Sequence, residues 1–270
     1  MGEYMKLVKQ FLKEGRSQEL NIQQARDIFK KSCTQWKPNK EIYRGVRTEK
    51  DYVLVTPSQY KRKSVNLANY YTLFLDEISE RWDAFPKRSK SLICTTSYKI
   101  AYEYGKVYNV IPFDDAKIGV CPKKDIWYSF KDGFAGNELN NLDNLVHFLD
   151  VMYYDIDKTE ELEQEDPKLF KEQLLKIEQF IKSKTYEELV YLDKTYLSWK
   201  KLTNDIKKQG IIRTLEQCLD PDTNDFGVTS FKEYKQPTNL KESFELWTDS
   251  DCLLIKQELY DSFIKEMTGR

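Results

Sequence analysis

Histidine is almost absent: His147 is the single one in 270 residues. Triads built on imidazole and metal sites with two or more histidines are therefore nearly excluded. His147 itself lies among the helix-patterned residues Leu142 to Leu149 and reads as structural. The five cysteines, Cys33, Cys94, Cys121, Cys218 and Cys252, are scattered and odd in number. They form no Cys-x-x-Cys pair, so neither a zinc site nor a disulfide framework is expected. Glycine-rich phosphate loops of the G-x-G-x-x-G or G-x-x-x-x-G-K-[ST] kind are missing, which removes the Rossmann and P-loop readings. No apolar run approaches the ~20 residues that span a bilayer. The opening residues have neither a signal-peptide apolar segment nor the Ser or Thr of a myristoylation site. These absences predict a cytoplasmic protein, a bacterial host's cytoplasm included, with reduced thiols, no metal and no membrane partner.

What is present is enough for a packed core: 40% hydrophobic and 14% aromatic residues, with 18 tyrosines. Residues 1–130 hold 24 Lys and Arg against 15 Asp and Glu, a net +9; the remaining residues hold 19 against 29, a net −10. A basic first half fits a phosphate-bearing ligand or partner, and equally an ordinary solvated face.

In chain order, Tyr4, Val8, Phe11 and Leu12 mark a helix over Met1 to Lys13. Asn21 caps a second helix with Ala25, Ile28, Phe29 and Ser32 on its inner face. Ile42 to Val46 and Tyr52 to Thr56 read as strands, and Gly45 allows close approach of a backbone or ligand. Leu67 to Trp82 has one apolar helical face. Ala116 to Cys121 and Asp125 to Phe130 suggest further strands. After Gly133 and Gly136 the pattern turns helical. One helix runs from Leu142 to Ile156 and a second starts at Asp166-Pro167. A third opens at the Thr185 capping box and passes through Leu189, Tyr196, Trp199 and Ile206. Asp220 to Gly227 resembles a calcium loop, but its sixth and twelfth positions are Asp225 and Phe231 instead of Gly and Glu, so a turn is expected. Phe226 to Phe231, Phe244 to Thr248 and Cys252 to Ile255 follow as strands before a closing helix.

The most informative stretch is Arg81 to Phe113. Ser91 to Ser97 reads as a strand, Tyr98 to Tyr104 as a short helix ended by Gly105, and Val107 to Phe113 as a second strand. Thr95, Thr96 and Ser97 are three hydroxyls at the strand–helix junction. There they cap helix amides or hold a nucleotide's sugar and phosphates. With Tyr43-Arg44-Gly45 upstream and the Glu245 strand downstream, the pattern resembles the R-S-E class of mono-ADP-ribosyltransferases. That class includes cholera-toxin-like toxins, vertebrate ecto-enzymes and several bacteriophage enzymes. The resemblance covers roughly Lys40 to Phe113 and Lys241 to Lys256.

The resemblance implies an α+β fold with a mixed β-sheet in an ADP-ribosyltransferase-like core; the residue pattern adds N-terminal helices and, after Gly136, long helices that do not belong to such a core and read as a large helical insertion. Its expected parts are residues 1–136, an insertion at 137–219 and the core's remainder at 220–270. It further implies a transferase that takes NAD as substrate and modifies a protein or nucleic acid acceptor. Glu245 would be catalytic. Arg44, Thr95, Thr96, Ser97 and Tyr98 would bind NAD, and Glu138 is the rival carboxylate. Two departures stand out. Ser243 occupies the position where arginine-modifying members have Glu, and the hydroxyl triplet is Thr-Thr-Ser instead of Ser-Thr-Ser. The alternative reading is a non-enzymatic nucleic-acid- or protein-binding module, or a degenerate transferase.

Overall fold

The computed structural model describes residues 16–38, 40–63, 68–130, 134, 139, 141–158, 160–192, 199–235 and 243–269. The chain divides into two compact units. One comprises residues 1–62, 84–125 and 227–270; the other comprises residues 63–83 and 126–226. Among the described residues the first unit carries all the β-structure and the second is helical, so the protein is α+β. Counted over these units, the sheet unit has 28 Lys and Arg against 19 Asp and Glu, a net +9, and the helical unit 15 against 25, a net −10.

The sheet has nine strands: β1 (Arg16–Leu20), β2 (Tyr43–Val46), β3 (Tyr52–Thr56), β4 (Leu92–Thr95), β5 (Lys106–Pro112), β6 (Lys117–Val120), β7 (Gly227–Ser230), β8 (Glu245–Thr248) and β9 (Cys252–Lys256). Their spatial order is β1-β3-β9-β5-β2-β4-β8-β6-β7. Every pairing is antiparallel, which corrects the expected mixed sheet. The physical reason lies in β4–helix–β5. That unit does run its strands in the same direction, as a crossover should. However, β2 is inserted between them and runs against both. Strand β1 was not expected from sequence; it pairs along its whole length with β3.

Burial explains the middle of the sheet. In β9, Cys252 to Ile255 are all buried, and in β5 so are Val107 to Pro112. Such buried runs, apolar except for Asn109, which donates to Gln257 Oε1 at 2.6 Å, suit strands covered on both faces. One cover is the pair α1 (Ile22–Ser32) and α9 (Gln257–Thr268), whose Phe29 and Phe263 rings meet at 5.6 Å and 86°. Asn21 caps α1 as expected, in a reciprocal box with Gln24.

The short α3 (Tyr98–Glu103) rests on β2 at Gly45. A Cβ added at Gly45 would stand 1.9 Å from the Ala101 carbonyl oxygen, so only glycine allows this approach. The backbone that approaches Gly45 is thus the chain's own.

In the helical unit, Tyr70 to Leu75 are six consecutive buried residues, more than one helical stripe holds. The single helix expected over Leu67 to Trp82 is accordingly broken. An α-helical turn, α2 (Tyr70–Leu73), widens into a π turn at Phe74–Ile78, and a 3-10 turn follows at Glu80–Trp82. Helices α4 (Leu142–Ile156), α5 (Pro167–Ser183), α6 (Tyr186–Leu192), α7 (Lys200–Gln209) and α8 (Ile211–Cys218) make up the rest. Tyr70 stacks on Phe170 at 5.7 Å and donates to Asp150 at 2.6 Å. Of the helix expected from Thr185 through Ile206, the described residues form α6 and α7, and Trp199 is the non-helical N-cap of α7. Asp125 to Phe130, expected as a strand, forms a 3-10 turn at Ile126–Tyr128. The helix expected over Met1 to Lys13, the glycines Gly133 and Gly136, and Tyr196 and Glu138 lie outside the described residues. Among the described residues no helix is long and apolar enough to cross a membrane.

Candidate functional site

Arg44, Thr95 and Glu245 stand on three successive strands, β2, β4 and β8. Tyr43 pairs with Thr95, and Thr95 pairs with Glu245. Directly opposed residues share a face, so Thr95 and Glu245 lie side by side. Strict alternation would turn Arg44 to the other face. The regular β2–β5 ladder, in which Arg44 pairs with Tyr108, keeps that alternation, and Arg44 Nη1 donates to the Ile93 carbonyl of β4 at 2.7 Å.

The hydroxyls each have a defined partner. Thr95 Oγ1 accepts from the Ser97 amide at 3.1 Å, and Ser97 Oγ accepts from the Ile100 amide at 3.3 Å, capping α3. Thr96 joins β4 to the entry of β8: its amide donates to Phe244 O at 3.1 Å, and its Oγ1 accepts from the Phe244 amide at 3.0 Å. Thr96 thereby ties down the residue just before Glu245. Tyr98 is half exposed; its ring stacks on Tyr102 at 6.4 Å and meets Tyr43 edge-on at 6.0 Å.

Glu245 is held from several sides. Its amide donates to Lys123 O at 3.1 Å, and its carbonyl accepts from the Cys121 amide at 2.9 Å. Arg88 Nη1 donates to Oε1 at 2.8 Å, with only 9% and 13% of the two side chains exposed. The Cys121 thiol reaches the same oxygen at 3.6 Å.

Trp247, two residues along β8, organises the segment that delivers Arg88. Its ring stacks on Phe85 at 5.9 Å and 14°, its Nε1 donates to Pro86 O at 2.8 Å, and the Arg88 guanidinium lies 5.1 Å from its centroid. The same ring covers β6, where a Cβ added at Gly119 would come within 2.2 Å of it. Sequence reasoning missed Arg88, Trp247 and Cys121. Arg88 reads there as part of a basic turn after Pro86, and no local signal pairs it with a strand 157 residues away.

The charges converge on shared neighbours. Burial pushes the Cys94 thiol up to about 12, against the lowering fields of Arg44 and Arg62, while Glu245 adds to the rise. Burial also raises the Tyr104 phenol, followed by Asp125; Arg44 opposes and Glu245 adds. Arg44 and Glu245 therefore both act at the Tyr104 phenol. A guanidinium, a row of hydroxyls and a buried carboxylate can bind an anionic sugar phosphate and stabilise a cation developing on the sugar. Among the described residues no group of three or more His, Cys, Asp or Glu could hold a metal ion. Comparisons of this chain with protein-family models, with curated proteins and with solved structures find no match in any of the three.

Proposed function

We propose that the protein is an NAD-dependent mono-ADP-ribosyltransferase acting on a macromolecular acceptor, with the sheet unit as its transferase-like core. The observation that carries this reading is Glu245 directly opposite Thr95 on β8 and β4, with Arg44 on the next strand, β2.

In this reading the bond between ribose and nicotinamide breaks with its electron pair leaving on nicotinamide. The acceptor's nucleophile then bonds to the same ribose carbon and loses its proton. Glu245 stabilises the positive charge that develops on the sugar and orients a ribose hydroxyl. Arg88 and Cys121 both engage Oε1, while Oε2 has no hydrogen bond among the described residues and is the oxygen left for the ribose. Arg44 holds the dinucleotide phosphates or the adenosine ribose. Thr95, Thr96 and Ser97 order the strand end beside the nicotinamide ribose.

The test is transfer of label from NAD to protein and nucleic acid acceptors. Glu245→Gln is expected to keep most NAD affinity and lose on the order of 10²–10³ in rate. Arg44→Ala is expected to weaken NAD binding, a contact made already in the ground state. Full transfer by Glu245→Gln together with its loss in Glu138→Gln would assign the chemistry to the other carboxylate. One observation favours the second reading, a degenerate transferase that binds without turnover: the Arg88 guanidinium neutralises the buried carboxylate. Absence of both transfer and NAD hydrolysis in the parent protein would select it.

A further inference from the structure

The turn that carries Arg88 is fastened at four successive carbonyls. Pro86 O accepts from Trp247 Nε1 at 2.8 Å, and Lys87 O accepts from the Ser91 hydroxyl at 2.7 Å. Arg88 O accepts from the Ser91 amide at 3.2 Å, and Ser89 O accepts from the Arg62 amide at 2.8 Å. The guanidinium itself lies 5.1 Å from the centroid of the Trp247 ring, and Phe85 stacks on that ring to complete the mount. So fastened, the guanidinium is held in one place, where it meets Glu245.

The contact is one-sided. Arginine–carboxylate pairs frequently form two parallel hydrogen bonds and so engage both oxygens. Here Arg88 Nη1 and the Cys121 thiol both approach Oε1, at 2.8 Å and 3.6 Å, and Oε2 has no hydrogen bond among the described residues. The last torsion of a glutamate side chain is soft and roughly two-fold, so an unanchored carboxylate swings. Anchoring Oε1 alone fixes the direction of Oε2 and leaves that oxygen able to accept. A guanidinium that only cancelled charge would require neither the one-sided contact nor the mount.

We propose that Arg88 is the positioning residue of Glu245: seated on Trp247 by its fastened turn, it aims Oε2 at the ribose and so supports turnover. The proposal rests on the transferase reading given above, and it gives the ion pair a role opposite to the one it has in a degenerate transferase. Arg88 acts through Glu245, with only 9% of its side chain exposed. Its loss therefore falls on kcat, while NAD binding is left to Arg44.

The experiment is steady-state NAD hydrolysis and label transfer by the full chain, its Arg88→Lys variant and its Trp247→Phe variant. Rates are taken per folded protein, from matched thermal unfolding, so that lost stability is not read as lost turnover. Lysine keeps the charge but has neither the planar fork nor its seat on the indole, and phenylalanine loses the bond to Pro86 O. Arg88→Lys is expected to lose about 10- to 100-fold in kcat, the scale for a misplaced reacting group, with KM for NAD within about threefold. Trp247→Phe should fall between that variant and the parent, again in kcat. Parent-level or faster turnover by Arg88→Lys, or a loss carried by KM alone, overturns the proposal and leaves the transferase reading standing. A parent chain that neither transfers nor hydrolyses NAD removes that reading, and the proposal falls with it.

Discussion

Arg88 and Glu245, 157 residues apart in the chain, form an ion pair at 2.8 Å with both side chains nearly removed from solvent. Removing one partner of such a pair strands the other charge, at a typical cost of about 3–5 kcal/mol. Replacing both by apolar residues avoids that penalty.

Arg88→Met alone is therefore expected to destabilise strongly, and Arg88→Met/Glu245→Leu to recover much of the loss. Urea unfolding of the two single variants and the double variant measures this as a coupling energy. A coupling below about 0.5 kcal/mol, the usual limit for independent sites, would mean the pair contributes nothing specific.

Trp247 makes the second prediction. It is 1% exposed and holds Phe85, Pro86 and Arg88 against β8 while covering Gly119. Trp247→Ala should cost about 3–5 kcal/mol, in the range for large-to-small changes of buried aromatics. Gly119→Val should cost about 1–3 kcal/mol by pushing into the ring. Unchanged urea midpoints in Gly119→Val would contradict the packing of that ring on β6.

The third prediction concerns pH. Asp114 follows β5 and accepts from the Thr34 amide at 3.0 Å, the Thr34 hydroxyl at 2.7 Å and the Gln35 amide at 2.7 Å. Burial raises its pKa, but these hydrogen bonds outweigh burial and hold it below the ordinary 3.8. Because the folded value is the lower one, the carboxylate's contribution is fully present above the unfolded value and is lost as pH falls through the folded value. Asp114→Asn should thus cost about 1 kcal/mol at pH 7, and its deficit should shrink below pH 4. An equal deficit at pH 3 and pH 7 would reject this account.

Much of the local structure was legible in the sequence. The strands at Tyr43, Leu92, Lys106 and Cys252 follow from runs of β-branched, aromatic and apolar residues. The starts of α1, α5 and α6 follow from Asn21, Asp166 and Thr185, whose capping contacts are all formed. The helix after Tyr70 is broken where periodicity alone would let it continue. Six consecutive buried residues there required a wider turn than the pattern predicts.

By itself the sequence determined the types of most elements, the near absence of imidazole chemistry, and the charge asymmetry. Propensity, capping and periodicity act over a few residues, so they can be read one stretch at a time. Only the tertiary structure decided that β2 lies between β4 and β5, which makes the sheet wholly antiparallel. It also decided that Thr95 faces Glu245 and that the carboxylate is held by Arg88 and Cys121. Strand neighbours are chosen by which arrangement buries both faces of β5 and β9 at once, a global condition on distant segments. No local pattern in the chain carries it.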